Sequence, residues 1–131
     1  MALFSVNISL IIFVFILTLV FANQNRPELI KSQSNYQSQP VGSLLVLICN
    51  SIKGSKPLEF RWLKNGHDIE KNSHRFDMDR YSIEKKNSYS QLTINDVSIL
   101  DSGNYSCVVN NAFGLDSQWS QFDVKGLQLI Q

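Results

Sequence analysis

Beyond residue 40 the chain consists of short segments in which apolar and polar residues alternate, separated by turn residues. Alternation with a period of two places successive side chains on opposite faces of a strand, and no stretch shows the period of a long amphipathic helix. Residues 25–40 are polar and contain Pro27, which suits a loose edge strand. The further predicted strands are 43–50, 58–64, 81–85, 89–94, 104–109 and 117–124.

The segments between these strands carry recognisable turn signals. Asn65-Gly66 predicts a tight turn, and residues 86–88 predict a hairpin whose strands direct Ile83, Leu92 and Ile94 inward. Residues 96–103 are predicted to contain one short helical turn. About seven short strands in roughly 100 residues indicate an all-β fold, a two-sheet antiparallel sandwich.

The N-terminus follows a different pattern. Residues 8–21 are uncharged and predominantly apolar, and Ala22 precedes the polar run Asn23-Gln24-Asn25. Such a segment is typical of a secretory signal peptide and is short for a membrane span, which needs roughly 20 residues. We therefore predict a signal peptide over 1–22, a folded domain over 23–126, and a tail or linker start over 127–131. One feature is irregular for a signal peptide, since residues 1–9 contain no Lys or Arg. The alternative is an uncleaved signal anchor that tethers the domain to a membrane.

Export would place the chain in an oxidising compartment, where cysteines pair. Cys49 and Cys107 are the two cysteines of the chain, so a disulfide between them is expected. A domain this small buries a modest core. Closing a loop over a separation of 58 residues would stabilise it by about 4 kcal/mol in the chain-entropy picture.

Composition argues against several classes of function. The formal net charge is +1, with acids and bases interspersed, which does not suggest nucleic acid or an anionic membrane as partner. His67 and His74 are interpreted as exposed loop residues, because their spacing and neighbours fit neither a catalytic arrangement nor a zinc site. We expect no enzymatic activity, no metal and no cofactor. No second apolar run follows residue 22, so no later membrane span is predicted.

Three features mark the predicted surface. Asn104-Tyr105-Ser106 fits the acceptor motif for N-glycosylation, and Asn104 points to solvent if Tyr105 points inward. Leu44, Val46 and Ile48 form a second apolar face on their strand, which suits either an interaction face or a surface covered by the first strand's polar loop or by long neighbours. Trp119 is interpreted either as a cap on the end of the sandwich or as an aromatic anchor for a partner.

One constellation is specific. Cys49 is followed by Trp62 and then by Asp101-Ser-Gly-Asn-Tyr-Ser-Cys107. The pattern resembles the immunoglobulin superfamily, in particular its intermediate-type (I-set) domains. The resemblance covers about residues 27–125 and implies that the cysteines bridge two sheets with Trp62 packed against the bridge.

The same resemblance assigns structural roles to residues around the second cysteine. It implies that the Tyr105 hydroxyl returns a hydrogen bond to nearby backbone and that Gly103 relieves a tight approach into its strand. It also implies an ion pair between Asp101 and an arginine at the start of the fourth strand. Arg80 is the first choice for that arginine, and Arg75 is the second.

Two longer stretches, 58–66 and 102–114, are similar to immunoglobulin repeats of Down syndrome cell adhesion molecules and related neural adhesion proteins. This similarity implies a module that binds other proteins, including a copy of itself, in cell adhesion or recognition at the cell surface. If the chain is a fragment, tandem immunoglobulin neighbours are expected. The alternatives are a soluble secreted immune or signalling factor that binds a receptor or microbial surface, and an intracellular domain of the muscle type.

Overall fold

The structure is a computed structural model, and it describes residues 5–22 and 25–126. The apolar N-terminal segment forms helix α1, Ile8–Ala22. Within the described ranges, no helix has the length and apolarity needed to span a bilayer. The predicted tail, 127–131, lies outside the described residues, as do residues 23–24 just after the predicted cleavage point.

The strands of the remaining described chain form two facing sheets, so the predicted all-β sandwich is confirmed. The strands are β1 (Glu28–Leu29), β2 (Tyr36–Pro40), β3 (Leu45–Lys53), β4 (Glu59–Lys64), β5 (His67–Asp68), β6 (Tyr81–Lys85), β7 (Tyr89–Ile94), β8 (Gly103–Asn111) and β9 (Gly114–Lys125). One sheet has the order β1-β3-β7-β6, and the other has the order β2-β9-β8-β4-β5. We call them the four-stranded and the five-stranded sheet.

Alternation along the strands builds the core as predicted. On β3, every second residue from Leu45 to Cys49 is buried, and the residues between them are exposed. Ile83 is partly buried and packs against the core. The buried hydrophobic residues are Leu29, Leu45, Leu47, Cys49, Phe60, Trp62, Ile69, Tyr81, Leu92, Ile94, Val97, Tyr105, Cys107, Val109, Phe122 and Val124.

The N-terminal edge differs from the single loose strand that was predicted over 25–40. The segment forms two strands on different sheets: β1 pairs antiparallel with β3, and β2 pairs parallel with β9. Asp116 on β9 holds the crossover between them. Its Oδ2 accepts the Leu29 N–H at 2.8 Å, and its Oδ1 accepts Lys31 Nζ at 2.7 Å. The chain keeps its direction as it crosses, which is why β2 lies parallel to β9.

Sequence patterning missed one core residue in the polar stretch after β4. Ile69 is fully buried, and its N–H donates to the Trp62 carbonyl at 3.0 Å. A lone apolar residue in a polar segment has no periodicity, so only the packing reveals it. The preceding tight turn is confirmed: Asn65 and Gly66 both have positive φ, 49° and 80°, as a two-residue hairpin turn of type I′ requires.

We predict that replacing both cysteines, Cys49→Ala with Cys107→Ala, lowers the free energy of unfolding by about 2–5 kcal/mol, because the cross-link restricts the unfolded chain. Urea unfolding followed by fluorescence measures the change. Reduced wild-type protein is the matched control and should unfold near the double variant. Equal midpoints for oxidised, reduced and doubly substituted protein would contradict the prediction.

Candidate functional site

The centre of the sandwich is a covalent and aromatic cluster. A disulfide joins Cys49 on β3 to Cys107 on β8 with a Cα–Cα distance of 6.2 Å. Trp62 lies beside Cys107 in the β4–β8 register. Its indole Nε1 donates to Ser90 Oγ at 2.9 Å, and Ser90 Oγ donates to the Glu84 carbonyl at 2.9 Å. Ser90 was not singled out from sequence, although a serine at an inward position of β7 is a usable signal for a buried polar partner.

A second polar cluster closes one end of the sandwich around Asp101. Arg80 makes a two-pronged contact, with Nη1 2.7 Å from Asp101 Oδ2 and Nη2 3.3 Å from Oδ1. Tyr81 Oη donates to Oδ1 at 2.7 Å, and the Ser98 N–H donates to Oδ2 at 2.7 Å. Tyr105 Oη donates to the Asp101 main-chain carbonyl at 2.6 Å. The structure thus places Arg80 at the expected position, while Arg75 lies exposed on a short 3₁₀ helix.

The contacts within the Asp101 cluster shift the pKa values of its side chains. Burial alone raises the pKa of Asp101, but hydrogen bonds from Arg80, Ser98 and Tyr81 outweigh burial and hold that pKa below its usual value. Burial, followed by the contacts with Tyr105 and Asp101, raises the pKa of Tyr81. Hydrogen bonds to Asp101 and Asp77 raise the pKa of Arg80. Asp101 is therefore a saturated structural carboxylate that is not available to a ligand.

Two further residues support this end of the molecule. Gly103 starts β8 against the Asn65 side chain: a Cβ at Gly103 would lie 2.8 Å from Asn65 Oδ1. Lys64, which sequence reasoning missed, donates from Nζ to the Leu100 carbonyl at 2.6 Å and lies 5.8 Å from the centre of the Tyr105 ring. Desolvation lowers the pKa of Lys64. Gly103 and Lys64 therefore support the fold and are not assigned to ligand binding.

The outer face of the four-stranded sheet presents a row of aliphatic side chains that begins at Leu44, just before β3, and continues along β3. Leu44, Val46 and Ile48 are 52%, 37% and 57% exposed, and we call them the β3 column. The first strand's loop, offered from sequence as a cover, leaves them open. Ile30 and Ile52 extend the apolar surface and are also exposed.

The strands beside the column carry mostly uncharged outward residues. In register, Val46 lies opposite Thr93, and Ile48 lies opposite Gln91. The charged groups of this sheet form ion pairs: Lys86 with Glu84 at 2.9 Å, and Lys53 with Glu28 at 2.7 Å. The middle of the face is therefore apolar and uncharged.

The outer face of the five-stranded sheet has a different character. Trp119 on β9 is 51% exposed and lies opposite Ser106 of β8. It stands within the sheet face and does not cap the end of the sandwich. Arg61 and Asp68 lie 3.9 Å apart on the same sheet. Asn104 is half-buried on β8, next to Gln121 in register.

The loop end of the sandwich holds a cavity that sequence reasoning missed. It has a volume of about 650 Å³. Asn111 steadies it, since its Nδ2 donates to the carbonyls of Asn25 at 2.7 Å and Ser55 at 2.9 Å. The lining residues include Lys56, Pro57, Leu58, Phe60, Asn110 and Phe113. The concavity forms where the segment before β4 meets the turn between β8 and β9, which are far apart in the chain.

The two histidines are exposed, with His67 on β5 and His74 on a 3₁₀ helix. Across residues 5–22 and 25–126, no three His, Cys, Asp or Glu side chains cluster as metal ligands would. The polar groups that meet in the interior serve the fold, and within the described part of the chain the surfaces open to a ligand include the β3 column, the Trp119 face and the loop-end cavity.

A family profile described as immunoglobulin domain matches residues 26–111, which is most of the sandwich. The chain belongs to the immunoglobulin superfamily. The resemblance that the cysteine, tryptophan and tyrosine spacing suggested is therefore confirmed. Immunoglobulin domains typically bind rather than catalyse.

Three relatives show where similar domains occur. Pro-neuregulin-1, membrane-bound isoform, of Mus musculus is 38% identical over 81 residues, 62% of this chain and 12% of the relative. Cell adhesion molecule DSCAML1 of Gallus gallus is 34% identical over 85 residues, 65% of this chain and 4% of the relative. Junctional adhesion molecule A of Felis catus is 33% identical over 81 residues, 60% and 26% respectively. The chain thus spans a small part of each relative.

Solved structures agree on the fold. The titin I-band fragment I67–I69 superposes with a TM-score of 0.68 at 23% identity, covering 79% of this chain and 34% of that one. Titin domain M4 gives a TM-score of 0.65 at 21% identity, covering 78% and 98%. The chain is an immunoglobulin domain homologous to domains of adhesion molecules, which is consistent with cell-surface recognition.

We predict that Asp101→Asn lowers the free energy of unfolding at pH 7 by about 2–3 kcal/mol, because a buried charged acceptor is lost. Since the folded pKa of Asp101 is lowered, its contribution is complete above the unfolded pKa of about 3.9 and is lost as the pH falls through the folded pKa. Urea unfolding at pH 7, 5 and 3 should show the gap between variant and wild type closing toward low pH.

Asp77→Asn is the matched control, because Asp77 also contacts Arg80 but is 53% exposed. Its effect should be under about 1 kcal/mol. A gap for Asp101→Asn that stays constant from pH 7 to pH 3 would contradict the assigned role of the carboxylate.

Proposed function

We propose that residues 1–22 export the chain and that residues 23–126 act outside the cell as a protein-binding module in adhesion or cell-surface recognition. The observation that carries the proposal is the β3 column. Its three aliphatic side chains stand in a row on a sheet face, where a contiguous apolar patch commonly marks a protein contact. The adhesion molecules among the relatives support the same assignment.

The apolar surface of the β3 column is large enough to contribute to binding. Each of its side chains is between 37% and 57% exposed. Covering the exposed half of an aliphatic side chain contributes about 1 kcal/mol. The column therefore offers about 3 kcal/mol to an interface, concentrated at the centre of one face.

The size of the face indicates the class of interaction. The four strands have two, nine, six and five residues, so at about 3.3 Å per residue and about 4.8 Å between strands the sheet covers roughly 350 Å². A standard interface buries about 800 Å² per partner. The face is suited to weak, reversible recognition, and several copies on a surface would strengthen it.

The chemistry of the face specifies the partner. Gln91 and Thr93 flank the column, and the nearby Glu84 and Lys86 neutralise each other. A partner protein with an aliphatic, uncharged patch fits this surface, whereas a strongly charged one would lose hydration without gaining an ion pair. A second copy of the chain is one protein with such a patch.

We predict that Ile48→Glu abolishes binding of the purified, fluorescently labelled and tetramerised chain to cells that display its partner, because a carboxylate at the centre of the face is desolvated without compensation. Leu115→Glu is the matched control, since Leu115 is 60% exposed on the five-stranded sheet. Flow cytometry with competition by unlabelled chain measures binding. Sedimentation of wild type and Ile48→Glu then tells whether the partner is a second copy.

The proposal is overturned if Ile48→Glu binds as wild type does, or if Leu115→Glu is the variant that loses binding. Specific binding that survives Ile48→Glu and is lost after changes at Phe113 would assign recognition to the loop-end cavity. Such a result would favour a soluble factor that takes its ligand at the loops.

We further predict that the secreted protein begins at Asn23. The apolar residues of α1 suit a cleaved leader, and Ala22 supplies the small residue before the cut. N-terminal sequencing and intact mass of the protein from the medium check the cut. Ile12→Arg, which places a charge in the apolar run, should block export. Protein that stays membrane-bound with its first residues intact would show a signal anchor instead.

A further inference from the structure

We propose that Asn104 carries an N-linked oligosaccharide whose first sugars lie over Trp119, so that the outer face of the five-stranded sheet is closed to protein partners. This inference goes beyond protein recognition by the β3 column. It depends on export of the chain but not on what the four-stranded sheet binds.

The acceptor side chain stands on the accessible face of β8. Tyr105 and Cys107 are buried, so Asn104 and Ser106 lie on the outer side, where both are half-buried. The Asn104 main-chain N–H donates to Asn65 Oδ1 at 2.9 Å, and the Asn104 carbonyl accepts the Asn65 N–H at 2.7 Å. The main chain is thus held, while the side-chain amide stays on the surface.

The side-chain amide itself is arranged as an acceptor. Ser106 Oγ donates to Asn104 Oδ1 at 3.3 Å, which joins the first and third residues of the acceptor motif. Among the described residues, no partner takes up Asn104 Nδ2. A group attached at this nitrogen can extend from the sheet without breaking a hydrogen bond.

The strand register places Trp119 beside this point. Asn104 pairs with Gln121 and Ser106 pairs with Trp119, so Asn104 and Trp119 are diagonal neighbours on one face. Diagonal neighbours across two strands are separated by roughly 7–8 Å, within reach of large side chains. A sugar ring on Asn104 therefore lies next to an indole that is 51% exposed.

The indole gains a partner from such an arrangement. The C–H face of a pyranose ring is apolar, and packing it on the indole removes apolar surface of both from water. The oligosaccharide thereby covers an aromatic ring that is otherwise exposed on this sheet face. The oligosaccharide beyond the first sugars would keep other proteins away from Trp119, which leaves the β3 column as the free sheet face.

The covalent step is an ordinary group transfer in the secretory pathway. The donor is a lipid-pyrophosphate-linked oligosaccharide, and a transferase acts on the unfolded chain. A bond forms between Asn104 Nδ2 and the anomeric carbon, while the bond from that carbon to the pyrophosphate oxygen breaks. Nδ2 gives up one proton, and the lipid pyrophosphate leaves with the electron pair. No oxidant or reductant is needed.

The experiment uses the full chain secreted from mammalian cells. Intact mass before and after treatment with a peptide-N-glycan amidase should show one oligosaccharide on wild type and on Ser106→Thr, which keeps the acceptor motif. Ser106→Ala and Asn104→Gln should show none. Two variants without the acceptor guard against a change that simply prevents folding.

Acrylamide quenching of tryptophan fluorescence tests the contact. Trp62 is 3% exposed and Trp119 is 51% exposed, so quenching reports on Trp119, and Trp119→Phe verifies the assignment. We expect the quenching constant to rise at least about twofold after the oligosaccharide is removed, because the indole regains contact with solvent.

Two results would overturn the proposal: secreted protein without an oligosaccharide at Asn104, or equal quenching of the glycosylated and deglycosylated forms. Neither result bears on cell binding by the β3 column, which Ile48→Glu tests separately. Loss of cell binding in Ile48→Glu would likewise leave the Asn104 result unchanged.

Discussion

The disulfide between Cys49 and Cys107 is the constraint on which the rest of the structure depends. It joins one strand of each sheet across the core, with Trp62 of the neighbouring strand beside Cys107. Because side chains alternate along a strand, fixing these two cysteines inward determines which neighbours face outward. Val46 and Ile48 on β3, and Asn104 on β8, are surface residues for that reason.

The polar groups around Asp101 stabilise one end of the sandwich. Asp101 accepts hydrogen bonds from Arg80, Tyr81 and the Ser98 main chain, which uses its acceptor capacity within the fold. The carboxylate whose pKa this cluster lowers is thus committed to stability, and the lowered pKa here is not a sign of catalysis. Recognition is left to the sheet faces and loops, where the side chains are not used to hold the fold together.

The two sheet faces differ in the chemistry that they offer. The four-stranded sheet presents an uncharged aliphatic row, whereas the five-stranded sheet presents an acceptor asparagine beside an exposed indole. A domain with both faces open would expose apolar surface on two sides. An oligosaccharide over Trp119 and a protein over the β3 column would cover one side each. A partner protein could then approach the domain only from the side of the four-stranded sheet.

The sequence alone determined the longer strands from β3 onward, the two-sheet class and the residues around Cys107, because alternation and fixed spacings are local properties of the chain. The tertiary structure decided the features that depend on contacts between distant parts of the chain. The first strand divides between two sheets because Asp116 binds the crossover, and Ile69 enters the core from a polar segment. Trp119 lies beside Asn104 only through the register of β8 and β9. Register and crossover depend on residues far apart in the chain, so they follow from packing and not from periodicity.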